Sequence, residues 1–216
     1  MKISSTPVGK MLAVLLSATL SFVLSLNVAC AADSKNFMSR STPLTQSYIW
    51  YDGEREQRVW LNPQVVAEFN PGAQGESVMK SAASGARILS MKHSQAAVRF
   101  WQLDNTAETA IRSLRSNHPQ GSYSAVFHDG PASSSRMRAL PGNVIVFLDP
   151  QWNQAAVNNW VGKRKLEIVK KLEIGPNIYL IKTGPGLEAL ETANTLYRSG
   201  EVKAALPDWW QEVATR

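Results

Sequence analysis

The sequence predicts an α+β protein whose working unit is a βαββαβ chain, an antiparallel sheet with two helices on one face. Three observations carry that expectation. Residues 143–208 spell out the order in full. Residues 64–127 can be read in the same order, with corresponding elements about 80 residues earlier, as a degenerate second copy. A punctuated loop separates the two, with Gly130-Pro131, three serines and Pro141-Gly142 inside residues 128–142. The competing expectation is two unrelated α+β halves.

The N-terminal half, residues 48–127, opens on a hairpin. Tyr48–Tyr51 and Arg58–Leu61 flank Asp52-Gly53, a strong two-strand turn pair. Gln64–Phe69 reads as a strand stopped by Asn70-Pro71-Gly72, and Glu76–Ser84 as a short helix. Arg87–Lys92 and Ala97–Leu103 read as strands. Thr106–Asn117 reads as a helix capped by Thr106, with Ala107, Ala110, Ile111 and Leu114 inward. Ser122–Phe127 is the last strand of this half.

The C-terminal half is clearer, and its order is that of the ferredoxin-like fold. Val144–Leu148 is an apolar run closed by Asp149-Pro150, as a buried strand should be. Gln151–Lys163 places Trp152, Ala155, Ala156, Asn159 and Trp160 at helical spacing. Lys165–Leu172 alternates, and Gly175-Pro176 ends it. Asn177–Lys182 is a strand with Ile178 and Leu180 on one face, Tyr179 and Ile181 on the other. Pro185–Ser199 is a helix with Leu187, Leu190, Ala193, Leu196 and Tyr197 inward, Pro185 at its start and Gly200 at its end. Glu201–Leu206 is a short strand stopped by Pro207.

Residues 1–31 have the make-up of a cleavable export signal. Lys2 and Lys10 precede an apolar run from Met11 to Val28, followed by Ala29-Cys30-Ala31. An uncleaved anchor is the alternative, because the run approaches membrane-span length. Lipid attachment at Cys30 is disfavoured by Asn27, where an aliphatic residue is wanted. Cleavage after Ala31 removes Cys30, the single cysteine, and with it any disulfide, thiol nucleophile or Cys-based metal site. The mature chain is expected in the periplasm or medium, without stable membrane insertion. Residues 32–47 are polar and read as a disordered lead-in.

Charge and motifs exclude more than they assign. The chain has 23 basic and 17 acidic residues, a mild and scattered excess that makes no nucleic-acid footprint. Phosphate-cradling glycine motifs and the G-x-S-x-G elbow do not occur. His93, His118 and His128 lie singly, without metal-ligand spacing. Glu188 and Glu191 fall on a solvated helix side. No catalytic residue, cofactor or metal is assigned, and a binding module is expected instead of an enzyme. Trp209-Trp210 stand apart from the other tryptophans, in a tail of residues 209–216. One is expected to pack on its own domain and the other to reach a partner.

Residues 143–209 resemble the inhibitory propeptide of subtilisin-like serine proteases. The resemblance is carried by Val144-Ile-Val-Phe-Leu148, Leu166-Glu-Ile-Val-Lys-Lys-Leu172 and Gly175-Pro-Asn-Ile-Tyr-Leu-Ile181. It continues through Leu187-Glu-Ala-Leu-Glu-Thr-Ala-Asn-Thr-Leu-Tyr-Arg-Ser-Gly200 and Val202-Lys-Ala-Ala-Leu-Pro-Asp208, about a third of the chain. The hairpin 48–61 and the strand 65–69 are similar to the segment preceding such propeptides in some bacterial secreted subtilases. The resemblance implies a folding chaperone and tight inhibitor whose sheet packs on two surface helices of the protease. It implies that Asp208 caps one of those helices. The companion acid of the family, two residues earlier, is Leu206 here.

It further implies a tail that lies in the active-site cleft as a product-like strand, through Trp209, Trp210, Glu212, Val213, Ala214, Thr215 and Arg216. Ala214 or a neighbour then fills the primary specificity pocket, or Arg216 if the register slips. The chain stops at Arg216 without subtilase catalytic motifs, so the expectation is a free-standing propeptide-like inhibitor or external chaperone. The alternative is a non-catalytic extracytoplasmic adaptor reusing the same fold.

Overall fold

Gly53 opens the first element. Its φ of +60° lies at the first position of a two-residue turn, the geometry that glycine adopts without strain. The turn joins strand β1 (Ser47–Asp52) to β2 (Arg55–Phe69) with Asp52 opposite Arg55. The computed structural model describes residues 43–72, 75–89 and 97–211. The leader 1–31, Cys30, the lead-in as far as residue 42, His93 and the tail residues Glu212, Val213, Ala214, Thr215 and Arg216 lie outside the described residues, as does the end of the strand expected at 87–92.

The lead-in is ordered from Pro43 on. Pro43 bridges to Ala132, Leu44 is buried, and the Leu44 N–H donates to the Pro131 carbonyl at 2.7 Å. An apolar side chain with a place to bury overrides the polar composition around it.

The remaining elements are helix α1 (Gly75–Ala82), β3 (Arg87–Ile88), β4 (Val98–Gln102), α2 (Ala107–Asn117), β5 (Ser122–His128) and β6 (Met137–Ala139). Then come β7 (Val144–Phe147), α3 (Gln154–Lys163), β8 (Ile168–Lys171), β9 (Ile178–Ile181), α4 (Leu187–Arg198), β10 (Ala204–Pro207) and β11 (Trp210–Gln211). The fold is mixed α+β, with two antiparallel sheets and four helices among the described residues.

The first sheet has seven strands in the order β11-β6-β5-β2-β4-β3, with β1 also on β2. The second has four, in the order β10-β7-β9-β8. Strands β2, β3, β4 and β5 occupy the same relative places as β7, β8, β9 and β10, and each set of four carries two helices in the same positions along the chain. Strand β2 is long because β1 pairs its first part and β4 its last. Its proline, Pro63, lies where the register with β5 shifts between Asn62 and Val66, a place where a missing N–H costs little.

Local chemistry sets the helix ends. The Thr106 hydroxyl accepts from the Thr109 N–H and starts α2, which buries Ala107, Ala110 and Leu114. Helix α3 starts at Gln154, three residues later than its periodicity suggests. Asp149 and Trp152 first close a turn, and the Asn153 side chain caps the helix by accepting from the Ala156 N–H. Its inward residues are Val157 and Trp160, while Ala155 and Asn159 are exposed. Gly200, at φ +70°, ends α4. Strand β10 starts at Ala204 and takes in Pro207. Glu201 is drawn away to Arg164 and the Trp160 indole, so residues 201–203 form a bend.

Residues 128–142, expected as a linker, hold β6, which pairs with β5 on one side and β11 on the other. The two halves also share a buried cluster. Trp50, Val59, Phe127 and Leu140 pack against Ala189 and Leu190 of α4. The described residues accordingly form one compact unit. Two further cores lie between each sheet and its own helices, built on Trp101, Leu103 and Leu114 in the first and on Val146, Tyr179 and Leu196 in the second.

Candidate docking face and the root of the tail

Strands β7 and β9 are apolar on both faces. One face, with Val144, Val146, Tyr179 and Ile181, packs under α3 and α4. Alternation puts the others on the reverse face. The register places Ile145 beside Leu180 and Leu206, and Phe147 beside Ile178 and Ala204. Ile145 and Phe147 are only half-buried, whereas Ile178 and Leu180 on the same face are buried and Leu206 packs against the cluster of Trp50, Phe127 and Leu190. Strands that read as apolar on both sides normally have both sides covered. Val169 and Ile174 are exposed, at 48% and 72%, as single surface aliphatics often are.

Asp208 stands at the end of the same face, since Leu206 and Asp208 alternate to one side of β10. Its backbone N–H donates to the Asn143 carbonyl at 3.3 Å, which fixes its place. Burial pushes its carboxyl above the usual aspartate range, and Lys170 on the same face pulls it partly back. Its carboxylate makes no hydrogen bond or ion pair among the described residues, Lys170 acting only at longer range. A half-desolvated acid without a donor is poised for one supplied from outside.

The tail root is not free. The Trp209 indole packs edge-on against Trp50 at 5.7 Å and Phe127 at 5.6 Å, with the Arg138 guanidinium 5.8 Å from its ring centre. Its Nε1–H is buried without an acceptor. Trp210 and Gln211 pair with Ala139 and Arg138 as strand β11, and the Trp210 ring lies 4.9 Å from Phe100. Both tryptophans therefore pack on the chain's own first sheet. Asp129 holds Arg138 in place through an ion pair. Arg138, Phe100 and Trp50 were not apparent as partners of the tail in the sequence. They lie 70 to 160 residues from it, and no local pattern links them.

Other polar groups gather elsewhere. A groove of about 610 Å³ runs along α2 to the start of α4, between Tyr48, Leu61, Ile111 and Leu187. Burial raises the Tyr48 phenol, helped by Glu191 and Glu108, and burial raises Tyr123, helped by Glu68. The groove's arginines are engaged: Arg112 with Glu108 at 2.7 Å, and Arg115 donating to the Pro185 carbonyl at 2.7 Å. His128 is buried, with one ring nitrogen 2.8 Å from the Ser135 carbonyl and the other 3.2 Å from the Asn62 amide. Glu68 is buried between the Trp101 indole N–H at 2.9 Å and Arg99 at 3.7 Å. These arrangements join no nucleophile to a base. Among the described residues no three His, Cys, Asp or Glu side chains come together as metal ligands. No helix among them is long and apolar enough to cross a membrane.

The feature best fitted to function is thus the incompletely covered face of the second sheet, with Asp208 close by. Comparisons of the chain with protein-family models, with curated proteins and with solved structures find no match.

Proposed function

We propose that this protein binds a subtilisin-like serine protease, as an exported inhibitor and folding chaperone working in the periplasm or medium. The observation that carries the reading is the incompletely covered reverse face of the second sheet, where Ile145 and Phe147 are only half-buried beside the buried Ile178 and Leu180, with Asp208 close by. On this reading both halves are ferredoxin-like, and the first is a duplicate that has grown extra strands. The protease lays two surface helices on this face, and Asp208 accepts from the free N–H groups at one helix N-terminus. That contact relieves the burial cost of the carboxylate. The residues beyond Gln211 then lie in the cleft as an added strand.

The test is titration of subtilisin activity with the mature chain and with a form ending at Gln211. The reading expects inhibition by the first, weakened in the second, and faster refolding of denatured subtilisin with either. Neither inhibition nor assisted refolding would sink it. A second reading, an extracytoplasmic adaptor, is favoured by one observation: the root of the tail is tied into the first sheet instead of hanging free. It expects recovery of a non-protease partner from the native envelope, displaced by a charge placed on Phe147.

A further inference from the structure

The groove beside α2 lies where the two halves meet. The sequence of α2 builds one wall: Glu108, Ile111, Arg112 and Arg115 recur at i, i+3, i+4 and i+7 and stand in one row along the helix. The floor is β5 and the point on β2 where Pro63, Gln64 and Val65 drop out of register with β5. The start of α4, Gly186 and Leu187, forms the opposite wall. Leu61, Ile111, Leu187 and the Tyr48 ring give the groove apolar sides that are only partly buried. At about 610 Å³ it has the size of a small-ligand site.

Its two ends differ in charge. At one end Arg115 donates to the Pro185 carbonyl at 2.7 Å, which ties the guanidinium across from α2 to the start of α4. That bond uses one of its five N–H groups, and no carboxylate among the described residues pairs with the others. Glu188, close by, is turned back onto the Gly184 N–H at 2.8 Å. At the other end burial, then Glu191 and Glu108, raise the Tyr48 phenol. Glu108 is paired with Arg112, whereas Glu191 makes no ion pair among the described residues. From Glu108 to Arg115 the helix rises about 10 Å. An extended chain advances about 3.3 Å per residue, so about three residues span the same distance.

We propose that this groove binds a short apolar peptide with free termini, about three residues long, with its carboxylate on Arg115 and its ammonium toward Glu191 and Glu108. Its side chains lie against Leu61, Ile111 and Leu187. The Pro185 carbonyl is the positioning group, because it holds the guanidinium fork in one place before a ligand arrives. A fatty acid supplies the carboxylate and the apolar body but nothing for the acidic end. The proposal stands apart from protease binding, since the groove shares no residue with the face of Ile145, Phe147 and Asp208.

The experiment is calorimetric titration of the full chain with trileucine, trileucine amide, N-acetyl-trileucine and octanoate. Trileucine is expected to bind at a single site. The amide should bind about tenfold more weakly or worse, because a charged hydrogen-bonded pair is lost. The N-acetyl form should lose about threefold, as an exposed charge contact does. Arg115→Gln should weaken trileucine as much as amidation does, and should bind the amide as the natural chain does. Amidation tests the same contact with the protein unaltered, so a destabilised Arg115→Gln chain does not shield the proposal. No binding of trileucine up to about 10 mM overturns it. So does equal affinity for the acid and the amide. Octanoate binding as tightly as trileucine makes the groove a fatty-acid site and overturns the peptide assignment.

Discussion

The two sheets solve one topological problem in two ways. Strands β5-β2-β4-β3 and β10-β7-β9-β8 have the same order, and each set lays one face on two helices. They part on the reverse face. In the first sheet Val65, Ala67, Phe69 and Phe100 are buried there, because the sheet curls and Leu89, Met137 and Trp210 fold over them. In the second sheet Ile178 and Leu180 are buried there, but Ile145 and Phe147 are only half-buried. A chain that covers one apolar face with its own strands leaves the topologically matching one less completely covered.

The largest expected effect tests the covered half. Trp101 is fully buried, and its indole N–H holds the Glu68 carboxylate. Trp101→Ala is expected to cost about 3–5 kcal/mol in denaturant unfolding, through the cavity and the hydrogen bond lost to the buried carboxylate together. A cost below about 1 kcal/mol would mean that the first core is not built this way.

The next effect sets the two reverse faces against each other. Phe100 is 3% exposed under Trp210, whereas Phe147 is only half-buried. Phe100→Ala should cost about 3 kcal/mol or more, and Phe147→Ala no more than about half of that. Equal costs would erase the distinction between a covered and a less covered face.

Asp208 sharpens the comparison through pH. Burial raises its folded-state pKa, so the folded protein holds this proton more tightly than the unfolded chain does. Stability therefore falls as pH rises from the ordinary aspartate range through the raised folded value, and the full cost is present above it. Asp208→Asn should raise the melting temperature at neutral pH, by about 1–2 °C at a site that solvent still reaches. The same change should weaken protease binding. Lower stability at neutral pH in Asp208→Asn would show that the carboxylate has a partner within the fold.

The smallest effect lies in the second half at Glu201. The Arg164 side chain and then the Trp160 indole hold its carboxyl below the usual glutamate range, while burial opposes them. Stabilisation from this group is present above the unfolded pKa and is lost as pH falls through the lower folded value. Glu201→Gln should lower stability slightly at neutral pH, leave it almost unchanged at the lowest pH, and so flatten the acid limb of the stability curve. An unaltered acid limb would remove Glu201 from the account.

Much of this fold is legible in the sequence where the determinants are local. Thr106 caps α2 and Gly200 stops α4, because each needs only a few neighbours to act. The strands of residues 143–208 announce themselves by apolar alternation, and the hairpin by Asp52-Gly53. The face of α3 was misplaced because Asn153, not Gln151, starts the helix and points Val157 inward. Strands β6 and β11 are three and two residues long, too short for any period to register, and they exist only because the curled sheet offers them an edge. For the same reason Trp209-Trp210 read alike whether they pack or project. The position of Asp208 just after the last strand was visible, but its desolvation comes from burial in the folded chain, and the opposing pull of Lys170 comes from a residue 38 positions away.

The most direct test of the less covered face is the inhibition constant of the full chain carrying Phe147→Arg, measured on subtilisin beside the natural chain. The account predicts that Phe147→Arg keeps its melting temperature within about 3 °C, as a half-buried site allows, and loses inhibition at least a hundredfold. A folded Phe147→Arg chain that inhibits as well as the natural one would contradict it.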